Sequence, residues 1–195
     1  FESANAPAEI ARLAAHPALV GLRPMLQDNP DPGWILRPDL SPAFEALIAQ
    51  DLTFDALTLP MHLKNLLTIL RRYPDMRVVI DHGSKPLIRE GRIDDWALDM
   101  ARIASETNAF CKLSGLITEA APDWKTEDLK PYVTHLLETF GPERLIWGSD
   151  WPVCTLAGSY DRWVETTEIL LADLTLVERT AILGGNAALA YHLKT

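Results

Sequence analysis

The segment Arg77-Val-Val-Ile-Asp-His-Gly-Ser-Lys-Pro86 indicates the fold of this 195-residue chain. It begins with a short β-branched apolar run, typical of a strand buried on both faces, and polar and glycine residues follow at once. Four further segments show an apolar run that ends in a polar or glycine-containing turn. They are residues 20–25, 53–58, 109–113 and 144–148. We therefore predict five short buried strands.

Stretches with helical periodicity separate the predicted strands. They are residues 7–15, 42–50, 62–72, 93–107, 127–140 and 160–172, with a last helix from Asn186. A capping box from Thr175 to Glu178 opens one more helix, which Gly184 and Gly185 are predicted to end. The strands begin 33, 24, 32 and 35 residues apart, which suits βα units with parallel neighbouring strands. The sequence thus predicts an α/β fold.

The number of strands indicates part of a larger architecture. A (β/α)8 barrel needs roughly 250 residues, so five strands leave about three unaccounted for. The first residues also enter a helix with no strand before it. We therefore predict that residues 1–195 form the C-terminal two-thirds of one (β/α)8 TIM barrel domain that lacks its N-terminal strands.

Composition and charge narrow the range of partners. A formal net charge of −9, with scattered Lys and Arg, gives no basic face for phosphate backbones and predicts no nucleic-acid partner. We expect a small-molecule substrate instead. No apolar run approaches the roughly 20 residues that span a bilayer, and no signal peptide is visible, so we expect a cytoplasmic protein without a membrane partner. Cys111 and Cys154 lack metal-ligand spacing and are predicted to be reduced. A homodimer is left open.

Polar residues that follow the strands are the candidate catalytic residues, because chemistry in parallel α/β folds gathers there. His82 follows the third strand, where an imidazole suits metal binding, proton transfer or carbonyl polarisation. Asp150 follows the fifth strand, beside an aromatic wall predicted from Trp147 and Trp151, where a carboxylate suits general-base catalysis. The alternatives are a hydrogen-bonded loop histidine and an aspartate that stabilises the turn before Pro152. Together the two residues predict a site for carbonyl hydrolysis.

Neighbouring residues are candidate substrate contacts. Lys112 and Ser114 share one face of the fourth strand, and Trp151 lies next to Asp150. Arg23, beside the first strand, either binds substrate or forms an internal ion pair. His62 is a weaker candidate for the site than the strand-end histidine. No function is assigned to the remaining histidines, which are His16, His135 and His192.

The segments around His82, Lys112 and Asp150, with the closing Gly-Gly-Asn-Ala, resemble the amidohydrolase-2 family over nearly the whole chain. Within that family the sequence is most similar to sugar-lactone (fuconolactonase-type) and pyrone-dicarboxylate lactonases. The resemblance implies a distorted TIM barrel in which water attacks the carbonyl of a sugar lactone or carboxylated lactone. It also implies Asp150 as the base for water, His82 as a metal ligand or carbonyl-polarising group, and Arg23 and Lys112 as substrate contacts.

The resemblance is compatible with a metal-dependent enzyme and with a metal-independent one. The family's opening His-x-His-type motif is absent from these residues. A metal-assisted member would hold one divalent ion, zinc as the first choice, through those histidines with His82 and Asp150, whereas other lactonase-like members work without metal. If the five predicted strands are the fourth to eighth of the barrel, the strand over residues 53–58 is the fifth strand of the barrel. It leads into Thr58-Leu-Pro60 and not into a histidine, which argues against a two-metal site.

Two alternative functions remain. One is a metal-dependent decarboxylase or hydratase of the same superfamily, which would use the same histidine and aspartate on an aromatic or unsaturated acid. The other is a truncated barrel that binds a small ligand or a partner without turnover, since an unpaired strand edge favours association.

Overall fold

The structure is a computed structural model that describes residues 1–193. Its sheet contains the strands β1 Gly21–Leu22, β2 Thr53–Ala56, β3 Val78–Ile80, β4 Phe110–Leu113 and β5 Leu145–Trp147. Neighbouring strands are parallel and follow one another in chain order. The predicted α/β fold is confirmed, and this sequential parallel order is that of a (β/α)8 barrel.

Helices lie before, between and after the strands. In the described residues they are α1 Ala6–Ala14, α2 Ser41–Ala49, α3 Leu63–Arg72, α4 Asp94–Glu106, α5 Leu116–Glu119, α6 Thr126–Phe140, α7 Tyr160–Leu170, α8 Leu176–Thr180 and α9 Asn186–Ala190. Helices α2, α3, α4 and α6 connect consecutive strands, as βα units require. The predicted helices are present to within two residues at either end. The short α5, directly after β4, was not predicted.

Two local predictions were wrong. Regular strand structure in the first predicted strand is confined to Gly21–Leu22, because Pro24 has no amide hydrogen with which to extend the ladder. Gly184 and Gly185 do not end a helix, since they lie in a π-helical turn, Ala181–Gly185, that continues into α9. The capping box at the start of α8 is present, and the Thr175 amide donates to Glu178 at 2.8 Å.

The main core lies between the sheet and the helices. The strand residues that face the helices are fully buried, among them Phe54, Ile80, Cys111, Leu113 and Leu145. Burial of one such large side chain contributes about 1.5–3 kcal/mol. A smaller cluster of Val79, Ile146 and Ala190 covers the opposite face of the sheet. Packing on both faces explains why the strands lack an apolar–polar alternation.

The end of the described chain returns to the amino-terminal end of the sheet. Thr53 donates to the carbonyl oxygen of Ala190 at 2.7 Å. Arg77 donates to Thr53 Oγ1 at 2.9 Å and to Asp51 Oδ1 at 2.9 Å, and it contacts His192 Nε2 at 2.8 Å. The other nitrogen of that imidazole, Nδ1, lies 2.8 Å from Asp51 Oδ2. We call Asp51, Thr53, Arg77 and His192 the amino-end cluster.

Two further predictions concern the cysteines and the membrane. Cys111 and Cys154 are free and buried, as predicted. Burial raises the pKa of the Cys111 thiol and keeps it protonated. Among the helices in residues 1–193, none is both long enough and apolar enough to cross a membrane.

Candidate active site

The turn after β3 holds His82 in a strained backbone. Four consecutive residues, from His82 to Lys85, have positive φ angles of 54°, 56°, 59° and 51°. Three of them are not glycine, and such residues cost on the order of 1–3 kcal/mol each unless the surroundings hold them in place. The indole nitrogen of Trp96 donates to the carbonyl oxygen of Gly83 at 2.7 Å and helps to hold the turn. Backbone strain of this kind clusters at functional sites.

The structure brings the two predicted catalytic residues together. His82 Nε2 lies 3.7 Å from Asp150 Oδ1, which is too long for a hydrogen bond. Asp150 also has a positive φ, of 53°, directly after β5 and a short turn. Burial lowers the pKa of His82 below its ordinary value, although the carboxylates of Asp150 and Asp81 oppose this effect. The imidazole is therefore neutral at pH 7 and faces a carboxylate.

A buried serine holds the other side of the imidazole. Ser114, directly after β4, places its Oγ 2.8 Å from His82 Nδ1. Gly115 has a φ of 65°, and a Cβ there would lie 2.8 Å from the His82 ring. A Cβ on Gly148 would lie 3.2 Å from Ser114 Cβ. The exits of β3, β4 and β5 therefore pack closely, and Gly115 is a position that requires glycine.

Charged side chains lie on the inner face of the sheet, next to His82. Lys112 Nζ forms ion pairs with Asp81 Oδ1 at 2.7 Å and with Asp55 Oδ1 at 3.0 Å, and the Tyr191 hydroxyl donates to Asp55. We call Asp55, Asp81, Lys112 and Tyr191 the inner charge cluster. Burial acts to lower the pKa of Lys112, but the two aspartates outweigh it and raise that pKa. Burial raises the pKa of Asp55, and Lys112 opposes the rise.

The four predicted substrate contacts differ in accessibility. Ser114 is buried against His82, and Lys112 is engaged by two carboxylates. Arg23 reaches Asp81 Oδ2 at 3.5 Å, but 51% of its side chain is exposed. Trp151 is 67% exposed. Arg23 and Trp151 are therefore the two that are open to a ligand from solution.

One part of the predicted surroundings of Asp150 was wrong. An aromatic wall of Trp147 and Trp151 does not form, because the Trp147 indole nitrogen donates to Thr167 Oγ1 on α7 at 2.8 Å. Strand alternation explains the difference, since it turns Trp147 towards the helices and its neighbour Ile146 towards the inner face.

Sequence reasoning missed several polar contacts in the region around the site. Asp55 was detectable, because a carboxylate within an apolar strand needs a buried partner. The Lys85–Glu119 ion pair, at 3.5 Å, joins the exits of β3 and β4. Thr58 and Ser84 share a hydrogen bond between their hydroxyl groups at 2.8 Å. These contacts join residues that are distant in the sequence, and no local pattern indicates them.

The weaker candidate His62 lies apart from this arrangement. Its Nδ1 accepts the amide hydrogen of Leu59 at 3.0 Å, at the start of the helical turn that leads into α3. Its Nε2 is buried and has no hydrogen-bond partner in the described part of the chain. Burial lowers the pKa of His62. The contacts of this histidine are those of a local structural residue.

A catalytic zinc ion fits these residues incompletely. His82 Nε2 and Asp150 Oδ1 are two suitable donors that face each other. Within residues 1–193, however, no group of three or more His, Cys, Asp and Glu side chains has an arrangement that could hold a metal ion. A catalytic zinc takes three protein ligands. The described residues therefore do not form a complete zinc site.

Comparison with known proteins identifies relatives of known activity. An L-fucono-1,5-lactonase from Burkholderia ambifaria is 46% identical over 197 aligned residues, which cover 99% of this chain and 68% of that protein. An L-fucono-1,5-lactonase from Burkholderia multivorans is 36% identical, with 90% of this chain and 63% of that protein covered. This chain thus spans about two thirds of the length of these curated relatives.

Solved structures and a family comparison agree with these matches. An amidohydrolase from Burkholderia multivorans, solved with bound zinc, has a TM-score of 0.90 and 34% identity, over 100% of this chain and 72% of that one. A probable 2-pyrone-4,6-dicarboxylic acid hydrolase from Acinetobacter baumannii shares the fold, with a TM-score of 0.76 and 23% identity over 96% of this chain and 69% of that one. Residues 2–193 match the family described as Amidohydrolase. The chain therefore belongs to the amidohydrolase family.

Proposed function

We propose that this chain forms the fourth to eighth strands of a single-domain barrel enzyme that hydrolyses a sugar lactone, with L-fucono-1,5-lactone as the first candidate. The observation that carries the proposal is the neutral, buried His82 held 3.7 Å from Asp150 where strands end. Identity of 46% to an L-fucono-1,5-lactonase over 99% of the chain supports a sugar lactone over a carboxylated one.

The proposed reaction uses the two facing side chains. Asp150 acts as the general base and takes a proton from water while the water oxygen adds to the lactone carbonyl carbon. His82 donates a hydrogen bond from Nε2 to the carbonyl oxygen, on which negative charge develops. The bond from the carbonyl carbon to the ring oxygen then breaks. Asp150 returns its proton to that oxygen, and the product is an open-chain hydroxy acid.

Substrate binding is proposed for the two accessible residues. Arg23 keeps guanidinium donors free for the hydroxyl groups of a sugar, since it makes one long contact to Asp81. Trp151 presents an exposed indole directly after the base, and an aromatic face packs well on a sugar ring. Lys112 and Ser114, which were also predicted to bind substrate, are engaged inside the protein.

A metal ion has no step in this mechanism, because the described residues supply two donors and not three. His82 and Asp150 are the donors that this chain would offer to zinc, the ion bound in one solved relative. Zinc would supply Lewis-acid polarisation of the carbonyl. Assays with and without a chelator test whether activity requires such an ion.

The test is a lactone panel with product analysis. The purified chain is assayed for acid release from L-fucono-1,5-lactone, L-rhamnono-γ-lactone and 2-pyrone-4,6-dicarboxylate, with and without a chelator and against the spontaneous rate. We expect the sugar 1,5-lactone to be hydrolysed fastest, to a product heavier by one water. Carbon dioxide release from an aromatic or unsaturated acid would instead indicate a decarboxylase. Rates equal to the spontaneous ones throughout would favour the non-catalytic binding protein.

A further inference from the structure

The hydroxyl of Ser114 occupies a confined position between three strand exits. Its side chain is 2% exposed, and Oγ lies 2.8 Å from His82 Nδ1. A methyl group at Gly115 would collide with the imidazole, and one at Gly148 would press on the Cβ of Ser114. The backbone after β4 and the backbone after β5 therefore enclose the contact between Ser114 and His82.

The hydrogen bond between Ser114 and His82 differs from the one that a functional histidine usually makes through Nδ1. Nδ1 commonly donates its hydrogen to a carboxylate or a backbone carbonyl, and this leaves a lone pair on Nε2. A serine hydroxyl can also donate, and then Nδ1 accepts and Nε2 carries the hydrogen. Asp150 Oδ1 lies on the Nε2 side at 3.7 Å, and its negative charge favours a hydrogen on that nitrogen.

We propose that Ser114 is a positioning residue, which donates its hydroxyl hydrogen to Nδ1 and so holds His82 with its hydrogen on Nε2, directed towards Asp150 and the lactone carbonyl. This inference rests on the proposed lactone hydrolysis. Ser114 acts through His82 and does not touch the substrate. The sequence-based prediction of a substrate contact at Ser114 is replaced by this role.

Ser84→Ala is a matched control for Ser114→Ala, because it separates the loss of the contact with His82 from the loss of any buried hydroxyl. Ser84 lies two residues after His82 and is fully buried. Its hydroxyl is hydrogen-bonded to Thr58 Oγ1 at 2.8 Å and not to the imidazole. Ser84→Ala therefore removes a buried hydroxyl from the same region and leaves the Ser114–His82 contact in place.

The first measurement is kinetic. Because loss of the hydrogen-bond partner of a functional histidine typically costs 10- to 100-fold, we expect Ser114→Ala to lower kcat by about that factor, with KM changed less than about twofold. Ser114→Cys keeps a side chain of similar size with a weaker donor and should restore part of kcat. Ser84→Ala should keep the wild-type kcat. An equal loss in Ser84→Ala and Ser114→Ala, or no loss in Ser114→Ala, would overturn the proposal.

The second measurement is spectroscopic and does not need turnover. Long-range ¹H–¹⁵N correlation of ¹⁵N-histidine-labelled protein distinguishes the two neutral forms, and His82→Gln identifies the signals. We expect hydrogen on Nε2 in the wild type and in Ser84→Ala, and a shift towards Nδ1 in Ser114→Ala. Hydrogen on Nδ1 in the wild type would overturn the proposal, even if Ser114→Ala failed to fold. If the wild type hydrolysed no lactone, the proposed function would fail, while this measurement would still decide how Ser114 directs His82.

Discussion

The two ends of the sheet use polar side chains in different ways. At the amino-terminal end, Arg77 of the amino-end cluster donates to Thr53 and Asp51, and both nitrogens of His192 have partners. At the carboxyl-terminal end, His82 and Asp150 face each other at 3.7 Å without a hydrogen bond. Left-handed residues occur at both ends, so backbone strain alone does not separate them. The satisfied pairs stabilise the fold, whereas the incompletely paired groups remain able to react.

The inner charge cluster lies between these two ends and joins them. Lys112 holds Asp55 on β2 and Asp81 at the exit of β3. Tyr191, next to the amino-end cluster in sequence, donates to Asp55. The cluster therefore links the end of the described chain to the residue that precedes His82. We interpret it as part of the stabilising region.

The largest loss of stability is expected from a substitution in the inner charge cluster. Lys112→Met leaves the fully buried Asp81, and Asp55 beside it, without their closest cation, and breaking a buried pair in this way costs about 3–5 kcal/mol. Urea unfolding measures the loss. Lys64→Met, at an exposed position on α3, is the control. Wild-type stability combined with a raised KM would instead place Lys112 in the substrate-binding region.

A smaller effect is expected at the amino-terminal end. Arg77→Met removes hydrogen bonds to Thr53 Oγ1 and Asp51, and we expect a loss of about 2–3 kcal/mol in the free energy of unfolding. Activity per folded molecule should not change, because the cluster is at the opposite end from Asp150. Arg71→Met, which breaks a surface ion pair with Glu106, should change stability by less than about 1 kcal/mol. A fall in kcat for Arg77→Met would contradict the separation of the two ends.

The smallest effect is expected at His62, which should make the free energy of unfolding depend on pH. Because burial lowers its pKa, the unfolded chain binds more protons at this residue than the folded chain does. The folded state therefore loses stability as pH falls below about 6.5, the ordinary histidine value. In His62→Asn the amide oxygen replaces Nδ1 as the acceptor for Leu59 but cannot titrate. We expect a smaller loss of stability between pH 7.5 and 5 than in the wild type.

An exposed histidine provides the control for that measurement. His16 accepts the amide hydrogen of Ala18 at 3.2 Å, as His62 accepts that of Leu59, but it lies at the surface. His16→Asn should keep the wild-type dependence on pH. If His62→Asn and His16→Asn gave the same curve as the wild type, burial of His62 would not contribute to acid sensitivity.

The strands, the helices and the proximity of His82 and Asp150 could be predicted because they depend on local patterns and on one rule of topology. An apolar run such as Val78–Ile80 indicates a strand by itself. Parallel order then brings the strand ends, with His82 and Asp150, to one edge of the sheet. The partners of Lys112, in contrast, depend on register and side-chain direction across three strands.

The contacts that the sequence did not indicate have the same physical origin. Alternation places Ser114 on the inner face, but its hydrogen bond to His82 depends on how closely Gly115 and Gly148 pack. Tyr191 pairs with Asp55 from 136 residues away, and no periodicity predicts such a contact. Tertiary packing, not local sequence, determines these pairings.

The role of Asp150 as general base is tested most directly by the rate of L-fucono-1,5-lactone hydrolysis, compared between the wild type and Asp150→Asn. Asparagine keeps the shape of the side chain but cannot accept the proton of water. We expect kcat/KM to fall by about 10²- to 10⁴-fold, the usual contribution of a general base, with far-UV circular dichroism and urea unfolding close to those of the wild type. Hydrolysis within a few-fold of the wild-type rate would contradict the assignment of Asp150 as the base.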